Sequence, residues 1–275
     1  MKSISFIGAG NMATAIIGGM LKQGVDPRLI TVYDKLSDKA ELFSEKGLNV
    51  APSLTDACKA GEMILLAIKP QNFAEALGEI RESGVDISKK TFISIAAGIT
   101  TETVENLLGT KCAVVRVMPN TPLMVGCGAS ALCRNDRVSD EDFSAVCGIF
   151  EAAGMIMVID ETQMNTVICA NGSSPAYFYY FIDCVVRSAK AQGLALDERQ
   201  ILEAVCQTVI GSAKMLLDSG KTAAELVRAV TSPNGTTERA MNVFYNEKID
   251  EIIHRAMCAC TERAEEMSRE FGLLS

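Results

Sequence analysis

Between Lys2 and Leu21 an apolar stretch, Ile4-Ser-Phe-Ile7, runs straight into Gly8-Ala-Gly10-Asn11-Met12-Ala13 and on into a helix-patterned segment. Glycines spaced Gly-x-Gly-x-x-Ala between a strand and a helix suit the holding of a pyrophosphate. Gly8 permits the tight turn, Gly10 lets the backbone approach the phosphates, and Ala13 allows close packing of helix on strand. Backbone N–H groups at the helix start, at Asn11 and Met12, then face the anion. A second stretch, Val32-Tyr33-Asp34-Lys35, ends an apolar run where such a fold meets an adenosine ribose. The Asp34 carboxylate would accept hydrogen bonds from both ribose hydroxyls and favour NAD, whereas Lys35 could instead attract a 2′-phosphate. A plain turn role for Asp34 also stays open.

Further loops follow the same logic. Ala67-Ile-Lys69-Pro70 closes an apolar run, and Pro70 keeps Lys69 out of a helix and presents it at the strand end. Ala96-Ala97-Gly98 ends the next run with side chains too small to block a flat ring, and Met118-Pro-Asn120-Thr-Pro122 offers an amide and a hydroxyl on a rigid loop. Each is also compatible with ordinary loop chemistry. Aligned on one sheet edge they make a cofactor crevice. Farther on, Asn171-Gly-Ser-Ser174-Pro175-Ala-Tyr177 interrupts a helical segment, its small residues allowing close approach and Pro175 kinking or restarting the helix. Val230-Thr-Ser232-Pro-Asn-Gly235-Thr236-Thr237 leads into another helix, offering hydroxyls and unpaired N–H groups to a small carboxylate, or simply capping it.

The elements that must carry these loops are legible from periodicity. Strand-like runs at 30–33, 63–68, 92–96, 113–117, 128–132 and 155–159 alternate with helical patterns. The expected fold is α/β: a mainly parallel, doubly wound Rossmann-type sheet over residues 1–161. After Asp160 strand patterns vanish, and helices are expected over about 162–192, 197–219, 222–229, 236–246 and 248–269. This all-α domain, 162–275, is rich in Ala, Val, Leu and Met; its helices can bury one another only partly, so an oligomeric interface is expected there.

Composition excludes several classes. The 275 residues carry a formal charge of −8 with no basic run, which argues against nucleic acid or anionic membrane as partner and for a small metabolite. No apolar run is long enough for a membrane span, and a single lysine ahead of a strand is unlike a cleavable signal, so cytoplasm is the expected compartment. Ten cysteines are scattered through apolar segments and the chain has one histidine, His254, so neither a metal site nor a histidine-dependent nucleophile is expected. Cofactor chemistry then carries the hard step.

In order along the whole chain, Phe6-Ile-Gly-Ala-Gly10 with Met12-Ala13, Ala67-Ile-Lys-Pro70, Ala96-Ala-Gly98, Met118-Pro-Asn-Thr-Pro122, Gly172-Ser173 with Pro175-Ala-Tyr177, and Thr231-Ser-Pro-Asn-Gly-Thr-Thr237 with Ala240 resemble the pyrroline-5-carboxylate reductases. The last two stretches are the specific ones. The resemblance implies hydride transfer from NADPH or NADH to the C=N carbon of 1-pyrroline-5-carboxylate, giving L-proline. It also implies a helical domain that pairs in a homodimer, with decamers as further assembly. By the same resemblance Ser232, Gly235 and Thr236 bind the substrate carboxylate and Thr237 meets the ring nitrogen, while Lys69, Gly98 with Ala97, and Asn120 lie on the cofactor side. Ser174 stands where the family commonly has glycine, and Met241 and Tyr245 also depart from the usual residues. A β-hydroxyacid dehydrogenase would place a lysine in the first helix after the sheet, and 163–180 contains none. A reductase of other cyclic imino acids and a non-catalytic NAD(P)H-binding protein stay open.

Overall fold

A computed structural model describes residues 2–273. Eight strands form one sheet: β1 (Ile4–Ile7), β2 (Ile30–Tyr33), β3 (Asn49–Val50), β4 (Met63–Leu66), β5 (Thr91–Ser94), β6 (Ala113–Met118), β7 (Gly128–Arg134) and β8 (Gly154–Val158), in the order β3-β2-β1-β4-β5-β6-β7-β8. Helices α1 (Asn11–Lys22), α2 (Ser37–Glu41), α3 (Leu54–Ala60), α4 (Phe73–Glu82), α5 (Thr101–Leu108) and α6 (Asp140–Glu151) lie in the connections. Every pairing is parallel except β6 with β7. That exception follows from length: the link holds only a single 3₁₀ segment, Thr121–Val125, too short for the crossover that parallel strands require.

The central strands are mostly apolar, and β4 wholly so, because both faces are covered. Met63 and Leu65 of β4 join one buried cluster with Phe6, Ile16 and Ile17, whereas Ile64 and Leu66 join the other with Ile7, Phe73 and Phe92. Period two distributes one strand between two cores. β4 and β5 end at Leu66 and Ser94, two residues short of the expected 68 and 96, because the chain leaves the ladder to build the loops at the carboxyl edge. β3 was not expected; two exposed residues are too short to show a period.

The helical segment expected over 162–192 is divided. A 3₁₀ turn at Glu161–Gln163 and a π-helical turn at Ile168–Gly172 precede α7 (Ser174–Ala191), with Pro175 in the first turn. Then follow α8 (Glu198–Asp218), α9 (Ala223–Ala229), α10 (Thr236–Asn246) and α11 (Ile249–Gly272). Asp197 with Gln200 and Thr222 with Glu225 form reciprocal capping boxes that start α8 and α9.

Two compact units result, one reaching Ser173 and taking in the chain from Ala259 onward, the other Ser174–Cys258. Within the first, the end of α11 packs near the sheet. Phe271 touches the second core cluster, and Asn165 donates to the Ser268 hydroxyl at 3.0 Å. No described helix is long and apolar enough to cross a membrane.

Candidate active site

β1 and β4 are neighbours at the centre of the sheet, where strand order reverses, and a cleft of about 340 Å³ opens beyond their carboxyl ends. Gly8, Gly10, Asp34, Lys35, Ala67 and Lys69 line it. Gly8 has φ +103°, and a Cβ there would lie 2.5 Å from the Ala67 carbonyl oxygen, so glycine is obligatory where the β1 turn crosses the end of β4. Its N–H donates to the Tyr33 carbonyl at 2.7 Å, tying the turn to β2.

Gly10 differs. A Cβ there would meet nothing within 4 Å, so no protein atom requires the glycine. It is the N-cap of α1 yet supplies no side-chain cap, and Asn11 and Met12 follow as the first helical residues. An uncapped twelve-residue helix that begins at an open glycine beside a cleft presents backbone donors to an anion. The cradle fits the pyrophosphate of a dinucleotide.

At the end of β2 the Asp34 carboxylate accepts from two backbone donors, Ala9 N–H to Oδ2 at 2.8 Å and Leu36 N–H to Oδ1 at 2.9 Å. Lys35 Nζ instead reaches Glu75 Oε1 on α4 at 2.6 Å, a hydrogen bond that holds the ammonium above its ordinary pKa. Leu36, Lys39, Glu75 and Glu79 also line the cleft, although sequence reasoning did not single them out. The available signal was position: Leu36 and Lys39 follow β2, and Glu75 and Glu79 stand one turn apart on α4, the helix that follows β4.

The other expected residues lie outside that cleft. Pro70 opens the 3₁₀ turn Pro70–Asn72 next to Lys69. Ala97 and Gly98 follow β5, and Gly98 has φ +76° with a Cβ position 2.9 Å from the Cβ of Met267, so the approach of α11 demands its small size. Asn120 follows β6 and is 8% exposed. Its amide is engaged within the protein at both ends, Nδ2 donating to the Asn171 carbonyl at 3.1 Å and Oδ1 accepting from Ala129 N–H at 2.9 Å. Asn171 returns the contact, its Nδ2 donating to the carbonyls of Met118 and Ala129 at 2.9 and 3.1 Å. These bonds fasten the π-helical turn to β6 and β7.

Arg116 is buried on β6, with Nη2 donating to Asn165 Oδ1 at 2.9 Å and Nη1 3.6 Å from Glu161 Oε1. Burial pulls its pKa down and Glu161 opposes this. Arg187, on α7, pairs with Asp183 at 2.9 Å. Neither lines the cleft. Burial pushes the Cys112 and Cys133 thiols up to about 12, so both behave as small apolar side chains.

In the helical unit the turn before α10 has its own constraints. Gly235 N–H donates to the Ser232 carbonyl at 3.0 Å, a Cβ at Gly235 would overlap the Ser232 hydroxyl, and Asn234 has φ +57°. Gly235 is the N-cap of α10 without a side-chain cap, followed by Thr236 and Thr237. The hydroxyls of Ser232, Thr236 and Thr237 have no hydrogen-bond partner among the described residues, whereas Thr231 is tied to the Val227 carbonyl at 2.7 Å. The turn thus combines a helix N-terminus with free hydroxyl groups, suited to a carboxylate.

Comparison with known proteins agrees with both parts. The family model described as NADP oxidoreductase, coenzyme F420-dependent, matches residues 3–98, and that described as pyrroline-5-carboxylate reductase dimerisation matches residues 161–267. The solved structure of a pyrroline-5-carboxylate reductase from Coxiella burnetii gives a TM-score of 0.88 at 32% identity, covering 97% of this chain and 98% of that one. The pyrroline carboxylate reductase of Plasmodium falciparum, solved with NADP bound, gives 0.87 at 27% identity over 97% and 98%. The pyrroline-5-carboxylate reductase of Haemophilus influenzae is 39% identical over 272 residues, 98% of this chain and 99% of that protein. With identity of that extent running from end to end, this chain belongs to the pyrroline-5-carboxylate reductase family.

Proposed function

We infer that the protein reduces L-1-pyrroline-5-carboxylate to L-proline with NADPH or NADH, the last step of proline biosynthesis. Full-length family membership carries the reading. A nicotinamide cofactor held in the cleft would supply the hydride for the carbon of the C=N bond. The chain must hold an anion, orient a flat ring and manage one proton. The α1 N-terminus, with Gly8, Gly10, Asn11 and Met12, is assigned to the pyrophosphate, and Asp34 and Lys35 to the adenosine ribose. Ala67, Lys69, Pro70, Ala97, Gly98 and Asn120 are assigned to the cofactor edge of the sheet, Asn120 through the loop that its amide organises.

Ser232, Gly235, Thr236 and Thr237 are assigned to the substrate. The N–H groups that open α10 hold the carboxylate, and the Thr237 hydroxyl hydrogen-bonds to the ring nitrogen. A cyclic imine becomes electrophilic on protonation at nitrogen, so this hydroxyl steadies or relays a proton and is not itself a base. Orientation does most of the remaining work, consistent with a chain that has one histidine. The functional division is taken at 161/162, next to the start of the matched dimerisation region. The protein is assigned to the cytoplasm as a homodimer through its helical domain, with decamers as the further assembly. Phe178, Tyr179 and Tyr180, all at least 60% exposed on α7, support the dimer.

The deciding experiment follows NADPH and NADH absorbance with purified protein and L-1-pyrroline-5-carboxylate, with proline identified as product. Oxidation coupled to proline formation is expected. Cofactor binding without imine-dependent oxidation would refute the assignment, and turnover of only the six-membered imino acid would redirect it.

A further inference from the structure

The lip of the cleft where β2 ends carries information about which dinucleotide belongs there. Asp34 is clamped from both sides: Ala9 N–H, inside the glycine turn, holds Oδ2, and Leu36 N–H, just past the strand, holds Oδ1. Rotating the carboxylate out of the lip would break both bonds. Each oxygen still has a lone pair for a second donor. A carboxylate fixed to the turn that cradles the phosphates is therefore an acceptor-only surface at the ribose end of the cleft.

The cation nearest Asp34 in the chain, Lys35, is already engaged. Lys35 is paired with Glu75 at 2.6 Å, and Glu79 lines the same wall. Lys39, exposed on α2, and Lys69, past the end of β4, are the cleft cations without an ion pair among the described residues. Three carboxylates, Asp34, Glu75 and Glu79, thus stand beside Lys35 and Lys39 at this end, with Lys69 across the cleft at the end of β4.

We propose that Asp34 is the specificity-determining residue of the cofactor site and makes this protein prefer NADH to NADPH. The inference rests on the dinucleotide reading of the cleft. A ribose 2′-hydroxyl donates to a fixed carboxylate, whereas a 2′-phosphate brings only acceptors and like charge. Adding a phosphate beside an immobile carboxylate lowers affinity by about tenfold or more, even with partial solvent screening. Between Asp34 and Lys35, the carboxylate is the one fixed in the lip, while the lysine turns to Glu75, forty residues away.

Calorimetric titration of the full-length protein with NADH and with NADPH tests this directly, without turnover. NADH is expected to bind about tenfold tighter or more, and the ratio of kcat/KM should follow. Asp34→Ser should bring the two dissociation constants together or invert them, mainly through tighter NADPH. Because Asp34 also pins the glycine turn, Asp34→Asn provides the control, removing the charge while keeping the size and one acceptor. It should shift the ratio in the same direction with less change in the thermal midpoint. Lys39→Ala should leave NADH the preferred cofactor. NADPH binding equal to or tighter than NADH, or a ratio unmoved in both Asp34 variants, would overturn the preference and leave the reductase reading standing. If neither dinucleotide binds, both readings fall.

Discussion

Residues up to Ser173 contain nearly all of the buried apolar side chains, and Phe6, Ile64, Leu65 and Phe92 are all 0% exposed. Between Ser174 and Cys258 only Pro175, Val186 and Ile201 are buried, and Phe178, Tyr180 and Leu217 stand 60%, 69% and 84% exposed. Both units are hydrophobic, but in the first a period of two delivers the side chains of the central strands to two covered faces. In the second the apolar residues extend around too wide an arc of α7 and α8 for neighbouring helices of the same chain to cover. The first unit is a self-sufficient scaffold for a cleft. The second bears apolar surface written for another surface, consistent with its match to a dimerisation family.

Tyr180→Glu should have the largest effect, since it breaks the comparison outright. A carboxylate in a solvated helix face would change stability by under about 0.5 kcal/mol, whereas one buried between subunits costs about 3–5 kcal/mol. Light scattering after size exclusion should show dissociation to monomers and a lower thermal midpoint. An unchanged oligomer with an unchanged midpoint would mean this face of the second unit is solvent surface.

Asn120→Ala probes the scaffold. It orphans the Asn171 carbonyl and the Ala129 N–H, at a cost of about 2–4 kcal/mol in denaturant unfolding, together with a drop in kcat as the π-helical turn loosens. A side chain that only touched cofactor would leave unfolding unaffected and raise the cofactor KM.

Thr237→Val tests the turn of the second unit. With no partner for its hydroxyl among the described residues, the fold should survive intact, and kcat/KM should fall by the equivalent of about 1–3 kcal/mol. Unchanged kcat/KM would remove Thr237 from the site.

The smallest effect concerns pH. At the amino edge of the sheet Asp142 joins Lys2 at 2.5 Å and the Thr91 hydroxyl at 3.0 Å. Burial pushes its pKa up, but those hydrogen bonds outweigh burial and hold it below the usual carboxylate value. A depressed carboxylate adds stability above its unfolded pKa, and the gain is lost as pH falls through the lowered value. Asp142→Asn should therefore destabilise by about 1 kcal/mol near pH 7, modest because Lys2 is partly solvated, and by progressively less toward pH 3. A deficit that stays constant with pH would assign the loss to packing.

Much of the cleft could be anticipated because its parts are local. Gly8, Gly10 and the start of α1 are adjacent in the chain, and the strand-turn-helix pattern carries its own periodicity. The capping residues Asp197 and Thr222 are likewise short-range. Gly98 was legible as a small residue, but Met267 on a helix about 170 residues away supplies part of the reason. Asn120 was legible as a polar loop residue at the right edge, yet its amide turns inward because Ala129 and Asn171 reach it first. The break within 162–192 was signalled by Asn171 to Pro175, but a π-helical turn has no sequence period of its own.

The sequence by itself determined the order of elements, the glycine turn before α1, the uncapped turn at Ser232–Thr237 and the family, since each depends on residue type at short spacing. Tertiary structure alone decided which charged groups are engaged: Lys35 pairs with Glu75 at the surface, Asp34 is held by Ala9 in the glycine turn, and Arg116 is enclosed with Glu161 and Asn165. Hydrogen bonds and ion pairs act over a few ångströms of space, and only the folded chain brings those distances about.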